Sequence, residues 1–157
     1  MPMRKVKATN QHIRLLAQLM QAEARGEGRR GQELVGSVLI NRVVADCKPD
    51  FHNIRNIPHA VYGKFGPSRS PFEPVQNGEI YKMRPSSQDI RRARDLANGR
   101  VDSMARRSLW FFNPSPGQRY RAPCTPKMPR SPKTQFEYAY KNHCFYTGVP
   151  GYCQQFL

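Results

Sequence analysis

The sequence predicts a mainly α-helical, α+β fold in one domain with long Pro- and Gly-rich loops. Three observations carry that expectation. Apolar residues recur at helical spacing in three windows, 13–24, 34–43 and 90–97. A short aromatic run at 108–112 reads as an extended segment instead. Fourteen prolines and eleven glycines punctuate the remainder. A length of 157 residues is one domain's worth. The hydrophobic fraction of 38% and mean hydropathy of −0.73 call for an economical core, while an aromatic content of 10% argues against wholesale disorder.

Residues 1–9 are a basic lead-in, expected to be mobile, ahead of a domain over 10–157. Asn10 is the expected N-cap of the first helix. Its stripe is Ile13, Leu16, Ala17, Met20 and Ala24, and Gly26 and Gly28 end it. A second helix is expected over about 31–45, with Leu34, Val35, Val38, Leu39 and Val43 inward. Gly36 and Ser37 are small enough to admit a neighbouring helix. Six prolines between 49 and 85 make residues 46–86 read as mostly irregular, with a short helix or turn at 54–62. Within that stretch, 63–77 is rich in Gly, Pro, Ser and Arg and is expected to line a cleft. Ser86 with Asp89 resembles a capping box and opens a third helix, striped by Ile90, Ala93, Leu96 and Ala97 and ended by Gly99. The extended segment 108–112 is stopped by Asn113-Pro114. A Pro- and Arg-rich loop over 114–133 precedes a short helix or strand at 134–140 and a tail containing His143-Cys144-Phe145-Tyr146.

Lys and Arg number 26 against 11 acids, a net charge of +15. Such a surface attracts a polyanion, and both nucleic acid and peptidoglycan qualify on charge. No apolar run approaches the roughly 20 residues of a spanning helix, so no membrane partner is expected. No continuous apolar region follows the basic N-terminus, so no cleavable export signal is read. Cys47, Cys124, Cys144 and Cys153 allow three disulfide pairings, all open at this point. Metal spacing is poor, Cys47 with His52 and His143 with Cys144 being the places to look, and no metal is expected. The chain has no G-x-S-x-G, Walker loop, HExxH or G-x-G-x-x-G.

The chemistry concentrates at the end of the first helix. On a wheel of 100° per residue with Ile13 at zero, Glu23 falls at about −80°, inside the apolar arc. If the helix continued, Glu27 would fall at about −40°. Carboxylates on an inward face need a partner or a purpose. Burial and the partial negative charge of a helix C-terminus both disfavour an ionised Glu23. A carboxylic acid still protonated near neutral pH is what a glycosidic oxygen needs in order to leave. The structural alternative is an ordinary ion pair with Arg29, Arg30 or Arg42. No second carboxylate is placed beside Glu23 by spacing. His12, His52, His59 and His143 are scattered and read as packing or surface residues. Trp110, Phe111, Phe112, Tyr120, Phe72 and Tyr81 flank polar loops, as sugar-binding rings do, although strand alternation sends about half of 109–112 into the core.

These residues resemble a known family. The run 19–28 (Leu-Met-Gln-Ala-Glu-Ala-Arg-Gly-Glu-Gly), then Gly31-Gln32, then 35–42 (Val-Gly-Ser-Val-Leu-Ile-Asn-Arg) is similar to the core motif of the SleB/CwlJ cell-wall hydrolase family. The segments 72–78, 97–99 and 109–114 fall where that family has similar ones. The His143-Cys144-Phe145-Tyr146 ending and the places of Cys47, Cys124 and Cys153 resemble the CwlJ branch, as does the lack of a readable signal or a separate peptidoglycan-binding domain.

The resemblance implies a lysozyme-like domain related to lytic transglycosylases, with Glu23 as the catalytic acid/base. Its motifs make Glu27, Asn41, Phe72, Glu73, Trp110 and Asn113 the substrate-binding candidates. It implies spore cortex peptidoglycan bearing muramic δ-lactam as substrate, cleaved during germination. It implies no required cofactor, calcium dipicolinate as activator, a GerQ-type coat partner and a place at the coat/cortex boundary. In lytic transglycosylases one acid suffices, because the substrate's N-acetyl group assists and the muramic 6-hydroxyl closes an anhydro ring. A hydrolytic route with Glu27, Glu73 or Glu79 as second carboxylate stays open. The chain departs from the family pattern in the loops at 63–70 and 115–132. The rival expectation is a basic coat-scaffold or nucleic-acid-binding protein without catalysis. No zinc-finger or RNP-like signature supports nucleic acid, which is not an expected partner.

Overall fold

A computed structural model describes residues 5–153. Its elements in chain order are helices α1 (Asn10–Glu23), α2 (Gly28–Ala45), α3 (Ile57–Tyr62), α4 (Glu73–Gln76) and α5 (Ser87–Ala97), then strands β1 (Trp110–Phe112), β2 (Thr134–Tyr140) and β3 (His143–Gly148). The class is α+β. Residues 46–86, expected to be mostly irregular, carry α3, α4 and two short 3-10 turns, at Pro67–Arg69 and Glu79–Lys82. In α3 and α4 a proline sits in the first turn, where its missing N–H costs nothing.

Helix boundaries follow local chemistry. The N-cap of α1 is Thr9 rather than Asn10, its side chain accepting from the His12 N–H at 3.2 Å. The Ser86–Asp89 capping box forms with both reciprocal bonds, at 3.1 and 2.8 Å. Part of the lead-in is ordered: Val6 is buried and its N–H donates to Ala97 O at 2.7 Å, which ties it to α5. Residues 1–4 of the lead-in lie outside the described residues.

The spine is α2. One side joins α1, α3 and α5 in the main core, built on Leu16, Leu19, Met20, Leu39, Ile57 and Leu96. Gly36 makes that contact close. A Cβ there would lie 2.5 Å from Leu96 Cδ1 and 2.8 Å from Met20 Sδ. The other side meets the sheet, where Leu34 and Val38 pack with Phe145. Each large apolar side chain buried in this way contributes about 1.5–3 kcal/mol.

The sheet is antiparallel in order β1-β3-β2, with Trp110 opposite Tyr146 and Tyr140 opposite His143. The tail expected after residue 140 is thus the central strand, and every residue of β3 is buried. Two disulfides, Cys47–Cys153 and Cys124–Cys144, use all four cysteines.

Candidate active site

The corner between α1 and α2 carries both acids. The helix stops at Glu23 because the chain turns at Gly26 (φ 81°) and Gly28 (φ 78°), left-handed values that glycine adopts without strain. Glu27 is therefore not on α1. It is the N-cap of α2, and its N–H donates to Ala24 O at 3.0 Å. The wheel position for Glu27 assumed a continuing helix. The helix breaks, and Glu27 is buried by another route.

That route is a pairing with β3. The Glu27 carboxylate contacts His143 Nδ1, with the two residues only 3% and 5% exposed. Gly31 leaves the room, since a Cβ there would lie 2.7 Å from Glu27 Cβ. Lys141 Nζ donates to Glu27 O at 2.9 Å. The Phe111 and His143 rings meet edge-on, 5.4 Å between centroids. The second carboxylate oxygen, Oε2, is buried and has no hydrogen-bond partner among the described residues.

Glu23 is half-buried at the C-terminus of α1. Burial is the largest influence on its carboxyl and raises its pKa from 4.5 to about 7. The nearby His143 and then Arg42 pull the other way, while Glu73 and Glu27 add a smaller upward push. Desolvation wins, so the acid is substantially protonated at neutral pH. Arg42 stands ready to stabilise the carboxylate once its proton has left.

Arg42 is held for that task. Its Nε donates to Leu109 O at 2.8 Å, and its guanidinium lies 5.2 Å from the Phe72 centroid and 5.4 Å from that of Phe51. Burial lowers its pKa to about 10, against the opposing pull of Glu23 and Asp50, and it stays charged at neutral pH. Neither remaining arginine of the ion-pair alternative is engaged with Glu23 or Glu27. Arg29 pairs with Glu33 at 3.1 Å and Arg30 with Asp102 at 3.3 Å. Arg25, exposed, points to Glu79 at 3.9 Å.

The other candidates divide. Glu73 is exposed at the start of α4 and close enough to act on Glu23. Phe72 is buried, its ring 5.9 Å from Phe111 and under Arg42, so it is wall rather than free surface. Trp110 is half-buried, 5.2 Å from Phe51 and 6.3 Å from Tyr152 between centroids. Asn113 accepts from the Ser115 N–H at 2.8 Å and shapes the turn after β1. Asn41 is fully buried, its amide donating to Ala105 O at 2.7 Å and Ser108 O at 2.8 Å. That arrangement braces the approach to β1 and keeps Asn41 away from the surface. Among the described residues there is no group of three or more His, Cys, Asp and Glu that could hold a metal, and Cys47 and Cys144 are both in disulfides.

His143 is the member that sequence reasoning missed, because its partner lies 116 residues away. Arg42 had a readable signal: it follows Val38 by one turn and so lies on the inward face of α2.

The Cell Wall Hydrolase family matches residues 26–146. The chain belongs to the cell wall hydrolase family. As a member of that family it is similar to the cell wall hydrolase CwlJ of Oceanobacillus iheyensis, 38% identical over 151 residues and 96% of both chains. The cell wall hydrolase CwlJ of Bacillus subtilis is 36% identical over 152 residues, 95% of this chain and 94% of that one. The spore cortex-lytic enzyme of Bacillus subtilis is 36% identical over 107 residues, which are 68% of this cell wall hydrolase and 30% of the relative. No solved structure matches.

Proposed function

We propose that the protein cleaves the glycan strands of spore cortex peptidoglycan during germination, as a lytic transglycosylase with Glu23 as its general acid/base. The observation that carries this reading is a half-buried carboxyl protonated near neutral pH, with the Arg42 cation and the His143 ring beside it. In the proposed step Glu23 gives its proton to the glycosidic oxygen. The substrate's N-acetyl group assists at the anomeric carbon. The muramic 6-hydroxyl then attacks that carbon and returns its proton to Glu23, which leaves a 1,6-anhydro end. The relatives' names support a cell-wall substrate, and the spore cortex-lytic relative supports cortex. The rest of the reading comes from resemblance: a lysozyme-like fold, activation by calcium dipicolinate, a GerQ-type coat partner and a place at the coat/cortex boundary.

A hydrolytic route is favoured by one observation, the exposed Glu73 near Glu23, which could direct a water to the anomeric carbon. Mass spectrometry of muropeptides released from decoated spores decides between the routes. Anhydro-muramic products from the wild type and none from Glu23→Gln are expected. Products with reducing ends alone would replace the transglycosylase with a hydrolase. Inertness of both proteins, even with calcium dipicolinate and the coat partner present, would end the enzymatic reading.

A further inference from the structure

The loop from Gly63 to Pro71 takes no part in the proton transfer. It is nevertheless built firmly. Gly63, at φ 77°, donates from its N–H to His59 O at 3.0 Å. At the far end buried Ser70 donates from Oγ to Val61 O at 2.6 Å and accepts from the Phe72 N–H at 3.1 Å, while Gln76 Nε2 donates to Ser70 O at 2.5 Å. Between these anchors the loop presents Lys64, Phe65 and Arg69. Phe65 is 70% exposed, and the Arg69 guanidinium lies 5.9 Å from its ring centroid. An exposed large ring under a cation, on a tethered loop, calls for an explanation.

The loop forms one wall of a cleft of about 350 Å³. Arg42, Phe51, Ile54 and Trp110 line the same cleft. Lys64 Nζ donates to Pro49 O at 3.3 Å near its edge. Asp50, the one carboxylate among the lining residues, already accepts from the Tyr152 hydroxyl. Lys64, Arg69 and Arg42 therefore leave the lining positive. A second hollow of about 410 Å³ shares Ile54, His59, Gly63 and Lys64 and prolongs the cleft toward His52 and Asn53. Arg42 links this groove to the reaction centre, because it is also the cation that acts on Glu23.

We infer that this groove binds the peptide stem of a muramic acid residue, with Lys64 and Arg69 engaging its carboxylates and Phe65 and Ile54 its aliphatic parts. A neutral sugar draws little from the two exposed cations, whereas a stem peptide supplies both charge and apolar surface. The site rests on the proposed action of Glu23 on peptidoglycan, and it makes the enzyme read what the glycan carries as well as the glycan.

The test uses the full chain with Glu23→Gln, so that ligand is not consumed. Affinity is measured for a glycan tetrasaccharide carrying its stem peptides and for the same tetrasaccharide with neutral muramic δ-lactam in place of each stem-bearing muramic acid, since removal of the stem by an amidase would leave a lactyl carboxylate. Both substituted side chains of Lys64→Gln/Arg69→Gln are exposed, so the fold is retained. Affinity for the peptide-bearing ligand is expected to fall about tenfold, the size two solvent-screened charge contacts supply, while the neutral δ-lactam ligand is unaffected. High salt shrinks the difference. Equal losses for both ligands, or no loss for either, would overturn the peptide site. Cleavage by the Glu23-containing protein is scored separately. Cleavage without peptide discrimination removes the groove and keeps Glu23, and discrimination without cleavage keeps the groove and removes Glu23.

Discussion

Glu23 holds a proton that the unfolded chain would lose. Its folded pKa, about 7, lies above the unfolded reference of 4.5. Between those values the folded state binds more protons than the unfolded state, so stability falls as pH rises through that window. Below 4.5 both states are protonated and nothing is lost. Glu23→Gln removes the penalty. The variant should be more stable than wild type by about 1–3 kcal/mol at about pH 8 and equal to it below the window, as read by urea denaturation at several pH values. A pH-independent difference would mean that Glu23 is not held protonated. Cleavage runs in the same direction, fading above about pH 7 as the acid ionises. The Glu27–His143 pair offers a second residue-scale test. His143→Phe leaves a buried carboxylate uncompensated, which costs about 3–5 kcal/mol. Adding Glu27→Leu should recover most of that loss, measured as a double-mutant cycle. Additive losses would show that the two side chains do not stabilise one another. Glu23 was legible in the sequence because a helical wheel needs only neighbours. The burial of Glu27 was legible only in outcome, since its partner belongs to a distant strand.

At the scale of elements, signals carried by a few adjacent residues were readable. The capping box at Ser86, the stripe of α2 and the glycine punctuation after α1 all act within one turn of helix. The start of α2 was placed three residues late, because Gly28-Arg29-Arg30 offers no apolar residue to begin a stripe. Strand β3 was hidden for the opposite reason. A central strand is buried on both faces, so it lacks the alternation that marks a half-exposed one. The exit from β3 is equally constrained. At Gly148 a Cβ would lie 2.1 Å from Tyr152 O, a backbone atom that cannot swing aside. Gly148→Ala should therefore displace the return at 149–153 and cost about 2–3 kcal/mol, the scale of overpacking in a closed site. Thermal unfolding checks the cost. A variant as stable as wild type would mean that the return yields freely.

For the whole molecule, what resists a linear reading is what joins distant parts. The sheet order β1-β3-β2 brings residues 110–112 beside 144–146, across the long Pro-rich loop. The four cysteines allowed three pairings, and only the packed fold selects Cys47–Cys153 and Cys124–Cys144. The two bonds span very different lengths of chain, 106 and 20 residues. If each acts mainly by restricting the unfolded chain, the longer closure contributes about 4–5 kcal/mol and the shorter about 3 kcal/mol. Cys47→Ser/Cys153→Ser should then destabilise more than Cys124→Ser/Cys144→Ser. The longer closure also fixes the cleft wall. Tyr152, next to Cys153, stacks against Trp110, the single tryptophan of the chain. Intrinsic fluorescence should therefore respond in native Cys47→Ser/Cys153→Ser protein and stay near wild type in the other pair. Denaturation monitored by that tryptophan reads both effects at once. A reversed order of stabilities would show that the shorter bond, through the Pro-rich loop it anchors to β3, matters more than the closure of the chain.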